Sequence, residues 1–323
     1  MTSVAKADSL VWWKHRIRHW YGMFAGQSYY HQPQGLGRRF IPHRLEGYFN
    51  DLTGKTQWHG LADPAGIPLS KLSNGLVTYL PVLLCQKALG HWDCSLMGDD
   101  GNHLHQFLSI ANWLVDNQDQ DGGWNSLGIL GHPDRYRYSA MTQGEAVSVM
   151  VRAHLTNGEQ KFERACRNAL ALMRRPVQEQ GVCIYEGESV FLEEFPAERR
   201  DTVLNGWLFA LFGLHDFLAR FPDQPTEIFY RRCCDSLLRH LQTFDTGYWS
   251  YYSSGTHRLA SPFYHSLHLS QLEALAAIAD PHIIGPVRNR WRAYQHNRLY
   301  KTWAVGRKAV QKLREKPEIT VIG

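Results

Sequence analysis

"TVLNGWLFALFGLHDFLARF", residues 202–221, is the stretch on which the fold turns. Its apolar side chains recur three and four residues apart, it holds no proline, and its few charges come late. That is the pattern of a helix with most of its surface buried. The same spacing returns in "GLVTYLPVLLCQKALGHW" (75–92), "HLHQFLSIANWLVDNQ" (103–118), "GEAVSVMVRAHLTN" (144–157) and "KFERACRNALALMRR" (161–175). It returns again in "IFYRRCCDSLLRHLQTF" (228–244), "HSLHLSQLEALAAIAD" (265–280) and "IGPVRNRWRAYQHNRLYK" (284–301). Eight helices with short connections make antiparallel neighbours, so the chain is expected to be mainly α, in about four helix hairpins.

Hairpins repeated along a chain favour a solenoid or a closed (α/α) toroid over a small bundle, and the toroid is the expectation taken forward. The plainest punctuation is "DNQDQDGGWN" (116–125), where two glycines permit a sharp reversal and Trp124 covers an apolar surface. Its acidic residues lack the regular spacing and terminal Glu of a calcium loop. Residues 1–60 lack sustained helical periodicity and are expected to form an N-terminal extension, with 61–323 as the main domain. "RFIPHRLEGYFNDLTGKTQW" (39–58) has a hairpin-like pattern with "TGK" as its turn.

Composition narrows the function. Hydrophobic residues make up 44% and charged residues 20%, the balance of a folded domain. Eleven Trp and fifteen Tyr suit either a helical core or stacking on the apolar faces of sugar rings. A net charge of +5 without a nucleic-acid motif excludes a nucleic-acid binder and suits an acidic polysaccharide. The six cysteines show neither CxxC pairs nor zinc spacing and read as buried thiols. No dinucleotide fingerprint, P-loop or metal-like histidine spacing occurs, so no cofactor and no metal are expected. No signal peptide or span of about 20 apolar residues is present, which points to a cytoplasmic protein. "LVWWKHRIRHWYGMF" (10–24) could contact an anionic membrane surface peripherally or pack its tryptophans onto the main domain.

Four stretches place polar groups at helix ends. They are "YRYSAMTQGEAV" (136–147), "SVFLEEFPAERRDTVLNGW" (189–207), "DTGYWSYYSSGTHRL" (245–259) and "SPFYHSLHLSQLEAL" (261–275). A glutamate and tyrosines converging with histidines suit proton transfer to and from two faces of one carbon. The candidate substrate contacts are Trp124, Tyr138, Gln143, Glu193, Asn205, Tyr251, Arg258 and His265.

Together with "WLVDNQDQDGGW", these stretches occur in the order and spacing of the C-terminal catalytic domain of heparan sulfate D-glucuronyl C5-epimerases, which residues of about 75–295 resemble. The resemblance implies an (α/α) toroid, a homodimer, and conversion of D-glucuronyl to L-iduronyl residues in an acidic polysaccharide such as heparosan. It places the candidate proton-transfer roles on Glu194, Tyr252 and Tyr264. Two family positions depart: the tyrosine after the glutamate is Phe195, and the arginine expected soon after Tyr252 is absent. Arg258, Arg135 and Arg137 are the candidate replacements. A lyase using the same C5 carbanion, or a non-catalytic glycan binder, is the alternative.

Overall fold

The computed structural model describes residues 31–98, 101–314, 319 and 321. These form α1 (Pro81–Leu96), α2 (His103–Asp116), α3 (Ala140–Asn157), α4 (Gln160–Arg174), α5 (Leu204–Arg220), α6 (Gln224–His240), α7 (Pro262–Ala276), α8 (Pro281–His296) and α9 (Arg298–Arg314). Two small antiparallel hairpins accompany them, β1 (Ser70–Lys71) with β2 (Val77–Thr78), and β3 (Cys183–Glu186) with β4 (Ser189–Leu192). The protein is mainly α, as the periodicity predicts.

Each helix packs on its successor in the pairs α1/α2, α3/α4, α5/α6 and α7/α8. The first members also form a row, α1 on α3 on α5 on α7. α3 and α5 are buried on nearly every side; α5 is apolar almost throughout, whereas α3 also buries Thr142, Gln143, Glu145, Ser148 and Arg152. α4 and α6 carry one apolar stripe and a charged outer face. α3 and α5 approach most closely at Gly144 and Gly213, where a Cβ on either would strike the other helix's backbone. Arg152 of α3 is wholly buried and paired with Asp216 of α5, and it also donates to the Gly47 carbonyl. That pair ties the N-terminal extension to the helical row.

Local chemistry sets the helix starts. Pro81, Pro262 and Pro281 stand in the first turns of α1, α7 and α8, where a missing N–H costs nothing. Ser261 and Asp280 accept from backbone N–H groups of α7 and α8. Gly122 takes the left-handed conformation (φ 87°) that the reversal after α2 requires.

Three boundaries differ from the sequence reading. The "GLVT" start of the first predicted helix is strand β2, because Pro81 fixes the helix start. The basic run 284–301 breaks at Asn297 into α8 and α9. The hairpin-like ribbon of the extension exists, but it pairs Leu36 with Asn50 and turns through residues 40–46. Thr53–Thr56, with the expected "TGK" turn, is instead one turn of 3-10 helix that carries Lys55 inward. All six cysteines are free and buried. Among the described residues no helix is long and apolar enough to cross a membrane. Residues 10–24 lie outside the described residues.

Candidate active site

The row of helices presents four N-termini to one cavity of about 280 Å³. Val82, Leu83 and Gln86 reach it from α1, Met141 from α3, Asn205 and Phe209 from α5, and Phe263, Tyr264 and Leu267 from α7. Its size is near the lower end of ligand pockets, roughly 300–1,000 Å³, and suits one sugar ring. Helix N-termini carry partial positive charge, so their convergence favours an anionic group.

Glu194 enters from the turn after β4. The Glu193 carbonyl accepts from Ala140 N at the start of α3, and Glu193 N donates to Val182 O, so the backbone here is held from both sides. The Glu194 carboxylate accepts from Asn205 Nδ2 at 3.3 Å and makes a long 3.5 Å contact with the Tyr252 hydroxyl. It lies against Gly206, where a Cβ would collide with both its Cβ and its Oε2. The absent side chain at 206 is what leaves room for the carboxylate.

Tyr252 and Tyr264 complete the group. Tyr252 O accepts from Leu204 N at the start of α5, fixing the 245–260 ribbon to the helix that carries Asn205. The Tyr252 and Tyr264 rings are 4.7 Å apart and tilted by 58°. Ser261 Oγ accepts from Tyr264 N and so sets the backbone of the second tyrosine. Glu194, Tyr252 and Tyr264, 70 residues apart at the extremes of the chain segment they span, are brought together.

Burial pushes the Glu194 carboxyl up to about 8, against the opposing pull of the Arg258 charge and the Tyr252 and Asn205 hydrogen bonds. Burial likewise raises the Glu193 carboxyl to about 7, with Thr202 donating to it. Both phenols are raised by burial and by the charge of Glu194, so each keeps its proton at neutral pH. A neutral phenol beside a carboxylate near its midpoint is a donor beside an acceptor.

Of the three candidate cations, Arg258 is the one beside these groups. Its guanidinium carbon is 5.3 Å from the Tyr252 ring centre, its Nε donates to Ser253 Oγ, and Nη2 is 3.5 Å from Asp201. Its charge favours ionisation of Glu194, Tyr252 and Tyr264. Arg135 instead pairs with exposed Glu198, and Arg137 with Asp121 and Asp134. Phe195 stacks on His132, 5.9 Å away.

Several sequence candidates are not cavity-lining residues: Tyr252, Glu193 and Arg258 stand behind the wall that Glu194 and Tyr264 form, and five others lie elsewhere. Trp124 is buried and donates to the Leu114 carbonyl. Tyr138 is buried and tied to Asp119, Asp121 and Arg137. His265 stacks on Trp249 at 3.7 Å, and its ring nitrogens meet Ser250 Oγ and the Trp291 carbonyl. His268 also reaches Ser250 Oγ, so these two histidines clamp the ribbon that carries Tyr252. Gln143 is fully buried in the first turn of α3, and Tyr251 faces His257.

The sequence reading missed two polar residues of the cavity wall. Lys55 and Gln86 line it, with Gln86 Nε2 donating to buried Glu145 at 3.0 Å. Burial lowers the Lys55 ammonium to about 8, partly offset by the charge of Glu145. Nothing in "TGK" distinguishes a turn lysine from a buried one. The only signal was the departure at the family arginine, which left an anion without a cation.

Comparison with known proteins decides the family. Residues 132–293 match the family described as "D-glucuronyl C5-epimerase C-terminus". The chain belongs to the D-glucuronyl C5-epimerase C-terminal family. A D-glucuronyl C5-epimerase of Caenorhabditis elegans is 29% identical over 226 residues, covering 62% of this chain and 36% of that protein. The chain therefore spans about a third of the length of this curated epimerase. The matched segment runs from the turn before α3 into α8, and it contains Glu194, Tyr252, Arg258 and Tyr264 but not Lys55.

Proposed function

We propose that this protein is a C5-epimerase that converts D-glucuronyl to L-iduronyl residues in an acidic polysaccharide of the heparosan type. The observation that carries this reading is the meeting of Glu194, Tyr252 and Tyr264 beside a cavity ringed by helix N-termini. The hydrogen at C5 is very weakly acidic while the neighbouring carboxylate is charged, so the site must stabilise an enolate. Lys55 and the helix N-termini supply positive potential for it, and Arg258 supplies charge from behind Tyr252. The row of inner helices is read as a toroid whose ends, α1 and α7, face each other across the cavity.

The ionised Glu194 carboxylate takes the C5 proton, and the C–H electron pair moves into the enolate of the uronate. The Tyr264 phenol then gives its proton to C5 from the other face. That leaves a protonated Glu194 and a Tyr264 phenolate. Tyr252, between them, gives its proton to Tyr264 and takes one from Glu194, which resets the site. The only net change is the configuration at C5.

Incubation with heparosan in heavy water tests the reading. Deuterium at C5, L-iduronyl product and intact chains are the expected result, with at least a hundredfold loss of exchange in Tyr264→Phe. Unsaturated uronate absorbing in the near ultraviolet would mean a lyase. Retarded polymer without exchange would mean a binding protein, and either result would sink the epimerase reading.

A further inference from the structure

We infer that α9 is a docking surface for an anionic lipid membrane. Residues 281–314, covering α8 and α9, contain nine Lys and Arg and no Asp or Glu. In α8, Arg290 pairs with Asp245 and Arg292 with Glu273. α9 is different: its inner face is packed and its outer face is both apolar and basic.

The inner face is Ala304 against Trp249, Leu259 and Ala260, with Gln311 accepting from Leu259 N. On the opposite side Leu299, Trp303, Val310 and Leu313 are 80%, 61%, 49% and 56% exposed. They recur at spacings of four, seven and three, which places them along one stripe of a helix. The same periodicity sets Arg298 along one flank and Arg307 and Arg314 along the other, Arg307 also donating to the Tyr248 hydroxyl, while Lys301 and Lys312 fall on the side away from the stripe. A Trp-containing apolar stripe flanked by arginines on both sides is the composition of a helix lying in a bilayer interface. The stripe enters the acyl boundary while the cations meet lipid phosphates.

The other occupants fit less well. A soluble acidic polysaccharide would satisfy the cations but leave the apolar stripe in water. A second copy of α9 would bring the flanking arginines of two chains together. The segment "LVWWKHRIRHWYGMF" is itself basic and cannot neutralise the flanks. An anionic lipid surface meets both halves of the face. Because the packed side of α9 touches the ribbon that carries Tyr252, docking there would bring the cavity's own scaffold to the bilayer.

Co-sedimentation of the full chain with lipid vesicles tests this. Binding is expected to vesicles of phosphatidylcholine mixed with phosphatidylglycerol, to weaken as salt rises, and to be lost on phosphatidylcholine alone. The Leu299→Ser, Trp303→Ser double variant should bind at least about tenfold more weakly while keeping its far-ultraviolet circular dichroism. Absence of binding to the anionic vesicles, or undiminished binding by the double variant, would overturn the inference. So would sedimentation equilibrium showing that the variant turns a dimer into a monomer, since the stripe would then belong to a second copy.

Discussion

Replacing Glu194 by Gln should remove the proton acceptor and at the same time stabilise the protein in a pH-dependent way. The folded carboxyl sits near 8 and its ordinary value is 4.5, because burial opposes its charge. A raised carboxyl favours folding fully below 4.5, and that advantage is lost as the pH rises to about 8. At pH 7 the unfolded chain ionises this group while the folded protein holds it mostly protonated. The difference disfavours the folded wild type by roughly 3 kcal/mol, against less than about 1 kcal/mol at pH 5. Gln keeps an oxygen for Asn205 Nδ2 and does not titrate. The gap in unfolding free energy between variant and wild type should therefore widen from pH 5 to pH 8 and then flatten. Urea unfolding followed by tryptophan fluorescence measures it, with unchanged urea dependence as the check that the same surface unfolds. A gap that stays constant with pH, or a wild type that gains on the variant above pH 7, would refute the buried-carboxylate account.

The remaining expectations are these. Lys55→Met should leave the fold intact and slow C5 exchange by roughly 30- to 160-fold, since a buried charge-assisted contact contributes about 2–3 kcal/mol; full exchange would exclude Lys55 from the site. Asp216→Ala strands the Arg152 guanidinium without its partner and should lower stability by about 3–5 kcal/mol in a denaturant titration. Gly206→Ala forces the Glu194 side chain aside and should nearly abolish exchange at a stability cost of about 1–3 kcal/mol. The pH profile of exchange should rise as Glu194 ionises towards about 8 and fall as Lys55 loses its proton above about 8. Lys55→Met should flatten the falling limb without moving the rising one.

The helical row was legible because burial leaves a periodic trace: 202–221 is apolar nearly all round since its helix is enclosed, and 161–175 is striped since one face meets water. Periodicity placed the starts of α7 and α8 at 265 and 284, three residues late, because the turns set by Ser261-Pro262 and Asp280-Pro281 begin before the apolar repeat does. The "GLVT" strand was not legible, because a short apolar run beside a helix has no period of its own.

What the sequence determined alone was whatever depends on neighbours along the chain: helices, their caps, and the order of motifs that includes Glu194, Tyr252 and Tyr264. What the tertiary structure decided was whatever depends on contacts across the chain. It selected Arg258 over Arg135 and Arg137, assigned His265 and His268 to clamping Ser250, and brought Lys55 from a turn-like tripeptide to the wall of the cavity that Glu194 also lines. A charge acts through space, over ångströms rather than residue numbers, so a cation more than a hundred positions away from the carboxylates leaves no local pattern to read.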